Sequence, residues 1–234
     1  MGIHRDPNDV PQQFDDAVIP HGPRPRTGWV APDVAERLPG LELLLLDSPI
    51  EVTTRSPQWA KERLRFLSTA VRGLDVLHMH RHEAPAAYRE LYRNVGRDPD
   101  DDLPPMEAAF VQRLADGGFP QDGLPSDALM IVLAETGIPI WAVDAELTDG
   151  GLGIRRSLAG EIPVPAGFDP ELTAGHLVVA DDHGVISELC RPPRPVRAIA
   201  RDTSHGVFYC VKPEGVSELR VQEAFWMCLG MLTP

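Results

Sequence analysis

At Gly137 the sequence pattern turns from helices to strands, and that change limits the folds open to the chain. In the stretch leading to this glycine, apolar residues recur at helical spacing. After it they fall in short extended runs, each closed by a charge or a glycine turn. The clearest runs are Gly137-Ile-Pro-Ile-Trp-Ala-Val-Asp144, Gly153-Ile-Arg-Arg-Ser-Leu-Ala-Gly-Glu161 and His176-Leu-Val-Val-Ala-Asp181. Pro139 follows a helix-ending glycine, so it stiffens the turn that launches a strand, and Asp144 closes that strand. Turn signals at Asp149-Gly-Gly151, Pro163–Pro170 and Asp182-His-Gly184 separate the strands. Helices followed by short turn-linked strands predict a mixed α/β (α+β) fold. Its sheet should be predominantly antiparallel, with helices packed on one side.

The first half supplies those helices. Residues 1–28 carry Pro7, Pro11, Pro20, Pro23 and Pro25 without apolar periodicity and read as an extended tail or surface strap. Residues 29–234 show no internal repeat and no interior linker, so they read as a single domain. Leu41–Leu46, bounded by Pro39-Gly40 and Ser48-Pro49, is a short buried strand. Ser56-Pro57 signals a helix start, with Trp59, Leu64, Leu67, Ala70 and Val71 on its buried face and an end near Gly73. Further helices are expected over Ala84–Val95, Pro105–Ala115 and Ala128–Thr136, each closed by glycine. A C-terminal helix opening at Ser217 should bury Val221, Phe225, Cys228 and Leu229.

Composition narrows the function classes. A length of 234 residues suits one ordinary core, and no apolar run approaches the roughly 18–20 residues that cross a bilayer, so no membrane partner is expected. The N-terminus shows no signal-peptide apolar region, which makes a cytoplasmic location the expectation. Acidic residues outnumber basic ones 35 to 22, a net charge of −13. That field opposes RNA, because phosphate binding depends on cations that release counterions. Three widely spaced cysteines suggest neither a disulfide framework nor a zinc site.

Taken together, the motifs G-x-P-x-x-A-x-D at Gly137–Asp144, the Arg155 to Gly160-Glu161 segment and the Ala180-Asp181 strand end resemble a known domain. It is the substrate-editing (B3/B4) domain of the bacterial phenylalanyl-tRNA synthetase beta subunit. Tyr92-Arg-Asn-Val-Gly-Arg-Asp-Pro99 is similar to a phrase in stand-alone relatives of that domain, and the resemblance is strongest over residues 75–212. It implies a B3/B4-like fold, an amino acid or aminoacyl group as ligand, and hydrolysis of mischarged aminoacyl-tRNA in trans. It also implies a ligand pocket lined by Leu129, Trp141, Ala142 and Tyr209. At Trp141, Leu129 and Tyr209 the family carries a histidine, a threonine and a glutamate associated with editing. The family's glycine-rich A-G-x-x-G-G segment is replaced by Leu189-Cys-Arg-Pro-Pro-Arg-Pro195. The scaffold is kept while the editing groups are changed.

Asp144, Arg155 and Glu161 have two readings: support for a pocket, or scaffold residues that hold loops by hydrogen bonds. Arg191 and Arg194, in an arginine-proline run extending to Arg197 and Arg201, either face an anion or form a solvated loop. His78, His80 and His82 would project from one face of a Val76–His82 strand and could ligate a metal, or they form an exposed polar edge. Cys190 beside Arg191 is either an activated thiolate or a buried, inert residue. No cofactor-binding fingerprint is present, so no cofactor is expected. The leading expectation is a small amino-acid-like ligand, with tRNA disfavoured by charge. The rivals are a small-molecule enzyme or binder that reuses the pocket without tRNA, and a non-catalytic interaction protein.

Overall fold

The computed structural model describes residues 22–70, 78–162 and 174–232. Two four-stranded sheets face each other, and a helical layer covers the outer face of the first. The first sheet runs β1-β3-β8-β4, with β1 Arg26–Thr27, β3 Glu42–Pro49, β4 Trp141–Asp144 and β8 His205–Lys212, all antiparallel. The second runs β2-β5-β6-β7, with β2 Trp29–Val30, β5 Gly153–Arg156, β6 Leu177–Asp181 and β7 Gly184–Glu188. Among the described strands, only the β2–β5 pair is parallel. The expected antiparallel sheet with helices on one side is therefore present, and a second sheet covers its other face.

The leucine run explains why. Leu43 and Leu45 point into the inter-sheet core with Val207, Tyr209, Ile154, Val179 and Ile186. Leu44 and Leu46 point the other way, toward Phe208, Val132 and Phe225. A strand apolar at consecutive positions is covered on both faces.

Among the described residues the α-helices are α1 Pro32–Arg37, α2 Gln58–Ala70, α3 Glu83–Asn94, α4 Pro105–Asp116, α5 Ser126–Thr136 and α6 Glu218–Leu232. Helix α5 ends at Gly137, whose φ of +73° is the left-handed cap that glycine tolerates, and Pro139 then leads into β4. Helices α5 and α6 pack on the first sheet, while α2 and α4 form an outer layer around Leu64, Phe110 and Ile131. Helix α6 buries Val221, Phe225, Cys228 and Leu229, as its spacing predicts. Among the described residues, no helix is long and apolar enough to cross a membrane.

Two local expectations change, the start and the buried face of α2, and the expected N-terminal strap is seen in part. Residues 1–21 lie outside the described residues. Of the expected tail, residues 22–28 form a strap whose Arg26 and Thr27 pair with β3, and Trp226 Nε1 donates to the Pro23 carbonyl at 3.2 Å. Ser56 does not start α2; its hydroxyl accepts from Gly123 N–H at 3.3 Å, and the helix begins at Gln58. The buried face of α2 is Ala60, Leu64, Leu67 and Ser68, whereas Trp59 stays 41 % exposed. Val71, Gly73 and the Pro163–Pro170 turn lie outside the described residues.

Candidate functional site

The four positions expected to line a pocket do not converge. Strand side chains alternate, so the neighbours Trp141 and Ala142 point to opposite faces of the first sheet. Trp141 pairs across the ladder with Tyr209 and stacks on it, with ring centroids 5.8 Å apart and planes 28° from parallel. Both rings fill the inter-sheet core. The Tyr209 hydroxyl donates to Ser187 Oγ at 3.0 Å, and burial pushes it well above its ordinary pKa. Ala142 lies on the helical side with Phe208, where half-buried Leu129 packs against the same cluster. Packed side chains therefore occupy the space the expected pocket needed.

Asp144, Arg155 and Glu161 act as brackets. Asp144 accepts from Glu146 N–H at 2.9 Å and from the Thr203 hydroxyl at 2.6 Å, which pins the end of β4 to two turns. Both terminal guanidinium nitrogens of Arg155, Nη1 and Nη2, donate to Glu161, each at 2.7 Å, and Leu158 N–H adds a bond to the same carboxylate at 2.6 Å. The Arg155 hydrogen bonds hold the Glu161 carboxyl below its ordinary range. A carboxylate depressed on folding contributes stability above its unfolded pKa and loses it as pH falls through the folded value. Glu161→Gln is expected to destabilise the protein by about 1–3 kcal/mol at pH 7 and to flatten the acid limb of its stability curve. Chemical denaturation of both proteins between pH 3 and pH 7 checks this, and parallel curves would refute it.

The remaining candidates are engaged, exposed or sealed. Arg191 pairs with Asp102, which also binds Arg97 Nε at 3.0 Å. Arg194 Nη1 reaches the Glu161 carbonyl at 3.5 Å. The arginine-proline loop thus binds to its own protein. The expected strand over Val76–His82 is corrected in its described part, since His78 and His82 flank a short 3-10 turn, Met79–Arg81. His78, His80 and His82 are exposed there. Among the described residues, no group of three or more His, Cys, Asp or Glu could hold a metal ion. Burial pushes the Cys190 thiol far up, against which the nearby Arg97 and Arg191 weigh less, so it is no activated thiolate.

A cleft of about 580 Å³ opens elsewhere, at the end of the sandwich where β3 begins and β5, β7 and β8 finish. Its walls come from the C-terminal ends of α1 and α3, Arg156, Gly175–Leu177, Glu188 and Glu214. The ladder sets this geometry. Ser157 N–H donates to the His176 carbonyl at 2.7 Å, and Arg156 Nη1 donates to the Gly175 carbonyl at 2.9 Å. Arg97 is fixed over the Tyr92 ring, 4.9 Å from its centroid, and donates to the Leu189 carbonyl at 2.9 Å.

Five polar side chains lining the cleft, those of Arg37, Asn94, His176, Glu188 and Glu214, make no hydrogen bond or ion pair with the described residues. By contrast, Arg156 pairs with Asp33 at 2.9 Å and Arg97 with Asp102. The uncommitted full charges are thus one guanidinium and two carboxylates, joined by an imidazole and an amide. A cavity with both signs and few internal bonds suits a ligand that carries an amine and an acid.

These residues carry no joint signal in the sequence, since they are scattered from Arg37 to Glu214 at no motif spacing. The only visible cues were the Pro39-Gly40 turn and His176 at the start of a strand. A scan against protein-family models matches none to this chain, and no curated protein matches it.

Proposed function

We propose that this chain binds an amino acid or aminoacyl group in the cleft between the ends of α1 and α3, and that it does not carry out editing hydrolysis. One observation carries the reading. In a protein of net charge −13, the cleft is lined by Arg37, Glu188 and Glu214, none of them paired with another described residue. That pattern matches a carboxylate and an ammonium on one small molecule. The B3/B4 resemblance supports the same ligand class, although the cleft lies away from the positions that carry editing residues in that family. Loss of hydrolysis is supported by Trp141 and Tyr209, which fill the space where a water and an ester would meet.

The reading is tested by heteronuclear NMR titration with the twenty amino acids. Shifts are expected at Asn94, Gly175–Leu177 and Glu214. A titration that moves only Leu129, Trp141 and Tyr209, or nothing, would overturn it. Uncharged tRNA is expected to bind weakly and with a steep salt dependence, because few cations are free to release counterions. Mischarged aminoacyl-tRNA should lose its ester at the same rate with and without the protein. Submicromolar tRNA binding at physiological salt, or accelerated ester loss, would contradict these two expectations.

A further inference from the structure

The cleft does not end at Glu214. A smaller hollow of about 190 Å³ adjoins it and shares the walls Leu38, Asn94 and Glu214. Beyond that shared wall its lining includes Leu41, Ala87, Leu91 and Pro213, with Glu90 as its further charge. Leu41 and Leu91 are buried core residues, so the apolar wall is rigid. Arg37 and His176 line the main cleft but not the hollow. Three chemistries are therefore arranged in order: an apolar hollow, a carboxylate on the dividing wall, and a guanidinium with an imidazole beyond.

We propose that the two cavities together bind the N-terminal end of a short peptide whose first residue is aliphatic. This rests on the amino-acid reading above and extends it. The first side chain fills the hollow against Leu38, Leu41, Ala87 and Leu91. The free ammonium meets Glu214. The rest of the peptide lies along the main cleft and brings a carboxylate to Arg37 and His176. Size supports a ligand longer than one amino acid. Small-molecule sites span about 300–1,000 Å³, the main cleft alone is about 580 Å³, and a single amino acid would leave most of it empty. Charge and surface disfavour a nucleotide as the second unit. Glu188 faces the same cleft and repels phosphate, and no Phe, Tyr or Trp lines either cavity as a platform for a base.

The test is calorimetric titration of the full chain with four probes: the tripeptide Leu-Ala-Glu, its N-acetylated form, free leucine, and a non-hydrolysable leucyl-adenosine amide. The tripeptide is expected to bind at least tenfold tighter than free leucine. N-acetylation should weaken it tenfold or more. Glu214→Gln should abolish the preference for the free amine, and Arg37→Ala should weaken the tripeptide tenfold or more. Both residues are exposed, and unchanged melting curves confirm that the variants fold. Equal binding of the acetylated and free peptides overturns the inference. Free leucine binding as tightly as the tripeptide also overturns it but leaves the amino-acid reading standing. Tighter binding of the adenosine amide replaces the peptide by a nucleotide-linked ligand. If neither these probes nor any amino acid binds, both readings fall together.

Discussion

Trp141→Ala is expected to cost about 3–5 kcal/mol of stability, the range for deleting a buried large aromatic ring. The indole is only 9 % exposed, stacks on Tyr209 and sits among Val143, Val207 and Tyr209 between the sheets. In a chain of this size such a loss lowers the melting temperature by roughly 6–20 °C. Ligand affinity measured well below that temperature should not change, because Trp141 lines neither cavity of the candidate site. Thermal melts and the titrations above, run on one variant, separate the two quantities. A stable variant with weakened binding would return the site to the inter-sheet position and remove the cleft from consideration.

Asp181→Ala should be of similar severity for a different reason. Its side chain is fully buried and receives Arg197, Asp149 N–H at 3.0 Å and His183 N–H at 2.9 Å. Arg197 already has a buried Nε without a partner. Removing the carboxylate leaves a largely buried guanidinium uncompensated, which costs about 3–5 kcal/mol. Asp181→Asn keeps the shape and one acceptor and should lose less. Equilibrium unfolding in urea ranks the two, and an alanine variant within 1 kcal/mol of the parent would show that water reaches Arg197 freely.

What could be read from the sequence depended on whether a signal was local. The glycine-proline step at Gly137–Pro139 places the end of α5 and the start of β4 within a residue or two, because both are properties of adjacent backbone. The same is true of α4 and its closing Gly117. The second sheet was not legible as a separate layer. Its strands are as short and as apolar as those of the first, and which sheet a strand joins depends on pairing across more than a hundred residues, as between Trp29 and Gly153. The site misled for a related reason. Trp141, Ala142 and Tyr209 were grouped by motif position, but a strand sends neighbouring side chains to opposite faces, and the motif does not say which face holds open space. The cleft residues are chemically ordinary, and only the element ends that meet at that end of the sandwich bring them together.

The loop that carries Arg197 has a consequence for the molecule in crowded solution. Strand β4 lies at the margin of its sheet, and an unpaired margin is a template on which another chain can add. Here Ala198 bridges Val143, and the Asp144 N–H donates to the Arg197 carbonyl at 3.2 Å, so part of that margin is already occupied from within. The buried pair of Arg197 with Asp181 ties the blocking segment to the second sheet. Loosening that pair exposes an apolar strand to its neighbours, so loss of Asp181 should show as concentration-dependent fibre or precipitate formation at temperatures where the rest of the fold is still intact.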